Sequence, residues 1–285
     1  MTRTADRLFV VQFGAERVSK NLSLAGGPHH LYWEPLYGVI VETGEGRVLF
    51  DTGMSRASHH SAENTAAYRA GGVGASNLDV PWHLYPEPPR TDDWNWGLPG
   101  DPLVAGLAQV GLEPSDISLA VISHMHVDHS GGIGTLTAAG VPIAIQRREL
   151  EFVQSGAVGI AEGFNALDWT APGTQWRVID GDEELAPGVR AVSTPGHTPG
   201  HQSLLVDLPE SGSWLFAGDA ADLAQNFLDH TPCGSCAGGT DEDAQNAAES
   251  IDRLLALARE RQARLIPGHD QVVVNAVRHP RGGHR

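Results

Sequence analysis

Apolar runs separated by glycine and proline breaks recur along most of the chain, and the period inside each run names the element it forms. Leu8 to Phe13 and Leu36 to Glu42 read as strands. Thr43-Gly44-Glu45-Gly46 is a turn signal, so Val39 to Val41 and Arg47 to Phe50 pair as a hairpin. Ile117 to Ile122, Val141 to Ile145, Val189 to Ser193, Trp214 to Ala217 and Arg264 to Ile266 are further short strand-like runs. Helical spacing appears between them. Asp101-Pro102 starts one helix, an N-cap acceptor followed by proline at the first helical position. Leu103, Val104, Leu107 and Val110 mark its apolar face, and Gly111 stops it. Arg148 to Val153 reads as a second. Asp241 to Arg261 is the clearest, with Ala244, Ala247, Ala248, Ile251, Leu254, Leu255 and Ala258 in one stripe. Strands and helices in this alternation predict a mixed α/β chain whose helices cover the outer faces of two sheets.

Two stretches escape the pattern. Ser55 to Gly100 has little periodicity, several prolines between Pro81 and Pro89, and Trp82, Trp94 and Trp96. So long an excursion is expected to act as a lid over a site, with a homodimer contact as the other use for its aromatic surface. Trp33 and Tyr37 are expected in either the pocket or the core. The tail from Arg278 to Arg285 reads as frayed, and His279 and His284 are given no role.

Length and charge narrow the classes. The chain has 285 residues, 19 Lys plus Arg against 35 Asp plus Glu, and a net charge of −16. That balance argues against a nucleic-acid surface, which needs clustered positive charge, and it offers no anchor for an anionic membrane. No early segment reads as a signal peptide or spanning helix, which leads to the expectation of a cytoplasmic protein. The two cysteines, Cys233 and Cys236, have no second pair to complete a zinc knuckle and no thioredoxin-like context. They read as a plain loop, with a labile disulfide as the alternative. No G-x-S-x-G elbow supports a serine hydrolase.

The chemistry gathers where the apolar runs end. Val121 to Gly132 packs His124, His126, Asp128 and His129 into six residues. Three imidazoles and a carboxylate are costly to bury and pack poorly, but they suit zinc and similar divalent metals. The i, i+2 spacing of His124 and His126 points to extended chain or a loop past a strand, because helical ligand pairs sit three or four apart. Downstream, His197, Asp219 and His269 each follow a strand-like run and a Gly or Pro break. A polar loop of ordinary surface histidines would not need these partners. Since the candidates span 124 to 269 and no linker interrupts them, residues 1–285 are expected to form one domain, with the lid or insertion at 55–100. Asp51 could fix the ring of a metal-bound histidine or bond the amides of its own turn.

The H-x-H-x-D-H motif followed by His, Asp and His resembles the metallo-β-lactamase superfamily with a full two-metal ligand set. Pro187 to Leu205 and the L-F-D-T-G-M of Leu49 to Met54 resemble its N-acyl-homoserine lactone hydrolases. The resemblance implies a four-layer αβ/βα sandwich and two divalent metal ions, zinc by donor type. One ion would take His124, His126 and His197, the other Asp128, His129 and His269, with Asp219 bridging. It implies a lactone substrate opened by a hydroxide held between the metals, and Asp128 as carrier of a proton to the leaving alkoxide. One departure stands out: the tyrosine of those lactonases three residues past the bridging Asp is Asp222 here. The alternatives are another small lactone, a thioester, or an iron-dependent oxidoreductase of the same fold. The oxidoreductase needs a single metal, so His129 and His269 favour hydrolysis. A pocket lined by tryptophan would suit a long or aromatic acyl group.

Overall fold

The computed structural model describes residues 4–72, 94–276 and 279–285. Twelve strands form two sheets. They are β1 (Arg7–Ser19), β2 (Leu31–Thr43), β3 (Gly46–Phe50), β4 (Asn95–Gly97), β5 (Leu119–Val121), β6 (Ile143–Gln146), β7 (Trp176–Ile179), β8 (Glu183–Ala186), β9 (Val189–Ser193), β10 (Gln202–Leu208), β11 (Gly212–Phe216) and β12 (Arg264–Ile266). The first sheet runs β4-β1-β2-β3-β5-β6-β7 and the second β12-β11-β10-β9-β8. Strands β1 to β4 pair antiparallel, whereas β3, β5, β6 and β7 run parallel. In the second sheet only β11 and β12 are parallel.

The period of two sorts side chains into layers. On β2, Val39 and Val41 face the second sheet, and on β11 Trp214 and Phe216 face the first, so both contribute to one core between the sheets. Ile40 and Leu49 point the other way, under Leu103, Leu107, Ile133, Leu136 and Leu150 of the helices. Leu205 and Leu215 meet Ile251 and Leu254 of the helix Asp241–Arg261 on the far side. The result is a four-layer αβ/βα sandwich.

The predicted elements differ from the observed ones in instructive ways. Strands β1 and β2 run well beyond Leu8 to Phe13 and Leu36 to Glu42. The helix capped by Asp101 covers Pro102–Ala108, three residues short of Gly111, and Val104 is exposed. In Asp241–Arg261 the stripe holds at Ala247, Ile251 and Leu254, with Leu255 and Ala258 half-buried beside them, while Ala244 and Ala248 are in solvent. Within 55–100, residues 73–93, and with them Trp82 and the prolines from Pro81 to Pro89, lie outside the described residues. The rest is ordered: helices Arg56–His59 and Ala62–Gly71 and strand β4. Trp96 pairs with Ala15 on β1, and the Arg17 guanidinium lies 5.6 Å from the Trp94 ring. Trp33 is core. Tyr37 donates to the Pro267 carbonyl at 2.8 Å beside His269.

The tail contradicts the expectation of fraying. Leu8 and His284 exchange backbone hydrogen bonds of 2.9 and 2.7 Å, and the His284 ring sits 4.5 Å from that of Trp214. Its backbone donors and acceptors find partners on β1, so residues 279–285 stay down; Arg278 lies outside the described residues. Both cysteines are free thiols. Among the described residues no helix is long and apolar enough to cross a membrane.

Candidate metal centre

Every predicted ligand lies just past the C-terminal end of a strand. His124 and His126 follow β5, and Asp128 and His129 ride on the short helix Val127–Ser130 that comes next. His197 sits in the β9–β10 turn, Asp219 in a 3₁₀ turn after β11, and His269 after β12. Two close approaches hold these turns in place. A Cβ on Gly131 would fall 2.1 Å from the Ser55 nitrogen. Gly196, at φ +138°, lets the His197 turn pack on the long helix, where a Cβ would meet the Ala247 nitrogen at 2.2 Å.

The seven residues come together as two clusters that share Asp219. In the first, His126 Nδ1 lies 2.9 Å from both His124 Nε2 and His197 Nε2, and Asp219 Oδ2 stands 3.7 and 3.4 Å from His124 and His197. In the second, His129 Nε2 is 2.8 Å from Asp128 Oδ2 and 3.2 Å from His269 Nε2. Asp219 Oδ1 is 3.1 Å from both of these histidines. One carboxylate therefore turns one oxygen to each cluster. Asp219 Oδ1 is buried and has no hydrogen-bond partner. Such an atom is costly to leave unsatisfied, and converging imidazole nitrogens and carboxylate oxygens are the donor set for a borderline divalent cation.

Charge separates the clusters. Burial pushes the His126 imidazole down to about 3 and holds His124 well below its usual range, with neighbouring imidazoles adding to the effect. Both stay neutral, the form that binds metal. At His129 burial again opposes charge, but Asp128, Asp219 and Asp51 outweigh it and hold the ring well above its ordinary value. His269 is raised in the same way by Asp219 and Glu34. The second cluster calls for positive charge.

Most outward-facing ring nitrogens are tied down. His124 Nδ1 meets Ser123 Oγ at 3.0 Å, His197 Nδ1 donates to the Ser235 carbonyl at 3.1 Å, and His269 Nδ1 to the Pro35 carbonyl at 3.1 Å. Asp51 takes the first of the two roles read from sequence, and the amide it accepts belongs to the loop after β5 rather than to its own turn. Its Oδ2 holds His129 Nδ1 at 2.9 Å, and its Oδ1 accepts the Ser123 amide at 2.7 Å. Such partners of a metal-binding histidine are worth ~10–100-fold in affinity. Asp51→Asn is therefore expected to weaken binding of one metal equivalent by about that factor, read by titration with a competing chelator.

Sequence reasoning missed two buried groups beneath the ligands. His201 Nε2 accepts the Asp219 amide at 3.0 Å while its Nδ1 faces Thr194 Oγ1 at 2.9 Å. Burial pushes it down to about 3, so it stays neutral and fixes the Asp219 backbone. Glu149 accepts from Met125 N at 2.9 Å, Thr198 Oγ1 at 2.6 Å and Gly200 N at 3.1 Å, tying the His124–His126 loop to the His197 turn. For His201 the available signal was its place four residues past His197; Glu149, twenty residues past His129, carries none.

A cavity of about 850 Å³ opens onto His126, Asp128, His197 and Asp219. Asn64, Ala67 and Tyr68 of the helix Ala62–Gly71 form one wall, and Glu16, Glu34 and Asp222 another. No tryptophan is among the described lining residues; Trp82 lies outside them. Asp222 is buried and accepts from the Cys233 thiol at 3.1 Å.

Two ligand clusters on a shared carboxylate, at the strand ends of a four-layer sandwich, define a class: hydrolases with a dinuclear metal centre. The chain belongs to the metallo-beta-lactamase superfamily, whose family model matches residues 33–269. It is similar to the N-acyl homoserine lactonase of Bacillus cereus, 33% identical over 94% of each chain, and to the N-acyl homoserine lactonase AiiA of Bacillus thuringiensis subsp. kurstaki, 31% identical over the same share. A variant of B. thuringiensis AiiA solved with N-decanoyl-L-homoserine bound at the active site superposes with a TM-score of 0.76, at 28% identity over 96% of this chain and 97% of that one.

Proposed function

We propose that this protein opens the ring of N-acyl-homoserine lactones, with His124, His126 and His197 holding one divalent metal ion, Asp128, His129 and His269 a second, and Asp219 joining them. The observation that carries the reading is Asp219, with one buried oxygen turned to the imidazoles of each cluster. Zinc suits the imidazole-rich donor set, and when bound such ions polarise an ester carbonyl and lower the pKa of water. The full-length likeness to lactonases supports the substrate class.

The chain's own residues supply position and proton handling. Asp128 lines the cavity, its Oδ2 2.8 Å from His129 Nε2 and 3.4 Å from His269 Nε2. From there it can pass a proton to the ring oxygen as the C–O bond breaks. His126 packs against Phe164 with ring centroids 4.3 Å apart, which keeps its Nδ1 turned inward. Asp222 stands where the related lactonases place a tyrosine whose hydroxyl helps hold the substrate carbonyl, so here either another donor does that work or the substrate is different.

The test is acid release at neutral pH from short- and long-chain homoserine lactones, a plain γ-lactone and a glutathione thioester. Turnover of the homoserine lactones that a chelator abolishes is the expected result; activity on the thioester alone would move the substrate to another branch. Chelation should also destabilise the fold. Metal at about 100 times its Kd contributes about 2.7 kcal/mol, so Tm should fall by about 5 °C or more. An unchanged Tm and unchanged activity after metal removal would refute a two-metal hydrolase.

A further inference from the structure

The wall of the cavity beside the ligand clusters is built against ordinary strand rules. Glu16 and Glu34 are Cα partners on the antiparallel pair β1–β2, directly opposite each other. Both are buried, at 6% and 4% exposure, and both line the cavity. Two charged carboxyls in that arrangement would destabilise a sheet, and burial raises both above the usual carboxylate range, Glu16 well above it. The described residues place no lysine or arginine in an ion pair with either. Their partners are hydroxyls: Tyr68 donates to Glu16, and Tyr32 to Glu34 at 2.5 Å, Tyr32 being held in turn by Ser23 at 2.7 Å. Two buried carboxyls that face an open cavity keep acceptor positions for a donor that a ligand brings.

We propose that Glu16 and Glu34 select the substituent on the lactone, favouring one that carries hydrogen-bond donors, hydroxyl or ammonium, over a bare alkyl chain. The inference rests on the lactonase reading and refines its substrate. An alkyl chain laid along this wall would strip water from two carboxyls and return no hydrogen bond. A hydroxyl or ammonium group restores what the water supplied. A site that hydrogen-bonds a donor of its substrate rejects the analogue lacking it far more strongly than an apolar pocket rejects an extra methylene. Val18, Leu22, Val127 and Ile160 are among the apolar residues of the described lining and would take the hydrocarbon part of the acyl chain, leaving its polar substituent to the two glutamates.

The experiment uses the metal-loaded enzyme and three N-acyl-homoserine lactones of equal chain length. One acyl chain is unsubstituted, one is hydroxylated, and one ends in an ammonium group. The wild-type kcat/KM should be higher for at least one donor-bearing substrate by about 10²-fold. Preference for the ammonium alone means that charge is read; preference for both means that hydrogen bonding is. Glu16→Gln and Glu34→Gln should each reduce that ratio by about 10-fold or more. Parity, or preference for the unsubstituted chain, in the wild-type enzyme overturns the inference and needs no variant. Equal losses on all three substrates in both variants would make the glutamates structural and also overturn it. If none of the three is opened by protein holding two metals, the lactonase reading itself falls and this refinement with it.

Discussion

Replacing Asp219 by alanine should lower kcat/KM by at least about 10³-fold and reduce bound metal from two equivalents towards one or none. The magnitude follows from position. Loss of a single preorganised electrostatic donor in an active site costs about 10²–10³-fold, and Asp219 contributes to two clusters at once. Its Oδ1 lies 3.1 Å from His129 and His269, and its Oδ2 3.4 Å from His197. Without it the first cluster keeps three neutral imidazoles and the second loses half of its carboxylate charge. Asp219→Asn separates charge from shape: it fills the same space but offers one oxygen. It should retain more metal than the alanine variant and regain little activity. The backbone amide that His201 accepts survives in both variants, so the turn should hold, and circular dichroism should remain wild-type. Metal analysis beside kinetics decides the matter. Alanine protein that holds two equivalents and stays inactive would leave Asp219 important but not bridging.

The candidate ligands were legible because they combine a costly side chain with a break in an apolar run, and that combination survives any uncertainty in register. Strand ends were therefore placed correctly for His124, His197, Asp219 and His269. The acidic wall was not legible, and the reason is local. Strand β1 shifts register between Gln12 and Gly14, so the alternation that marks Leu8 to Phe13 breaks there. The strand continues to Ser19 through Glu16 and Arg17, beyond Phe13 where the apolar run ends. Glu16 is buried there by the cavity wall, information that no window of β1 contains. His284 was missed for a similar reason: its partners Leu8 and Trp214 lie far away in the chain. Asp222 was noticed as a departure, but its thiol donor Cys233 was read only as part of a loop.

Glu149 carries the other large effect, on stability. Glu149→Ala should cost about 3–5 kcal/mol at pH 5, because it leaves the Met125 amide, the Thr198 hydroxyl and the Gly200 amide without their acceptor, each worth about 1–3 kcal/mol when buried. That is a large part of the 5–15 kcal/mol that holds a typical domain together. The loss should shrink as pH rises. Burial pushes the Glu149 carboxyl up to about 7 from an ordinary 4.5, against the three donors that favour its charged form. Because the folded-state value is the higher one, its contribution to stability is fully present below about pH 4.5 and is lost as pH rises through 7. Alanine has no such dependence. The difference between wild-type and variant should thus be smaller at pH 8 than at pH 5 by up to about 3 kcal/mol, at 1.36 kcal/mol per pH unit. Urea unfolding of chelator-treated protein at both pH values measures it with the metals out of the balance. A gap that grows with pH would show that the three donors, not burial, set the ionisation of Glu149. With metals restored, the same variant should bind them more weakly at the first cluster, since Glu149 is what joins the loop of His124 and His126 to the turn of His197.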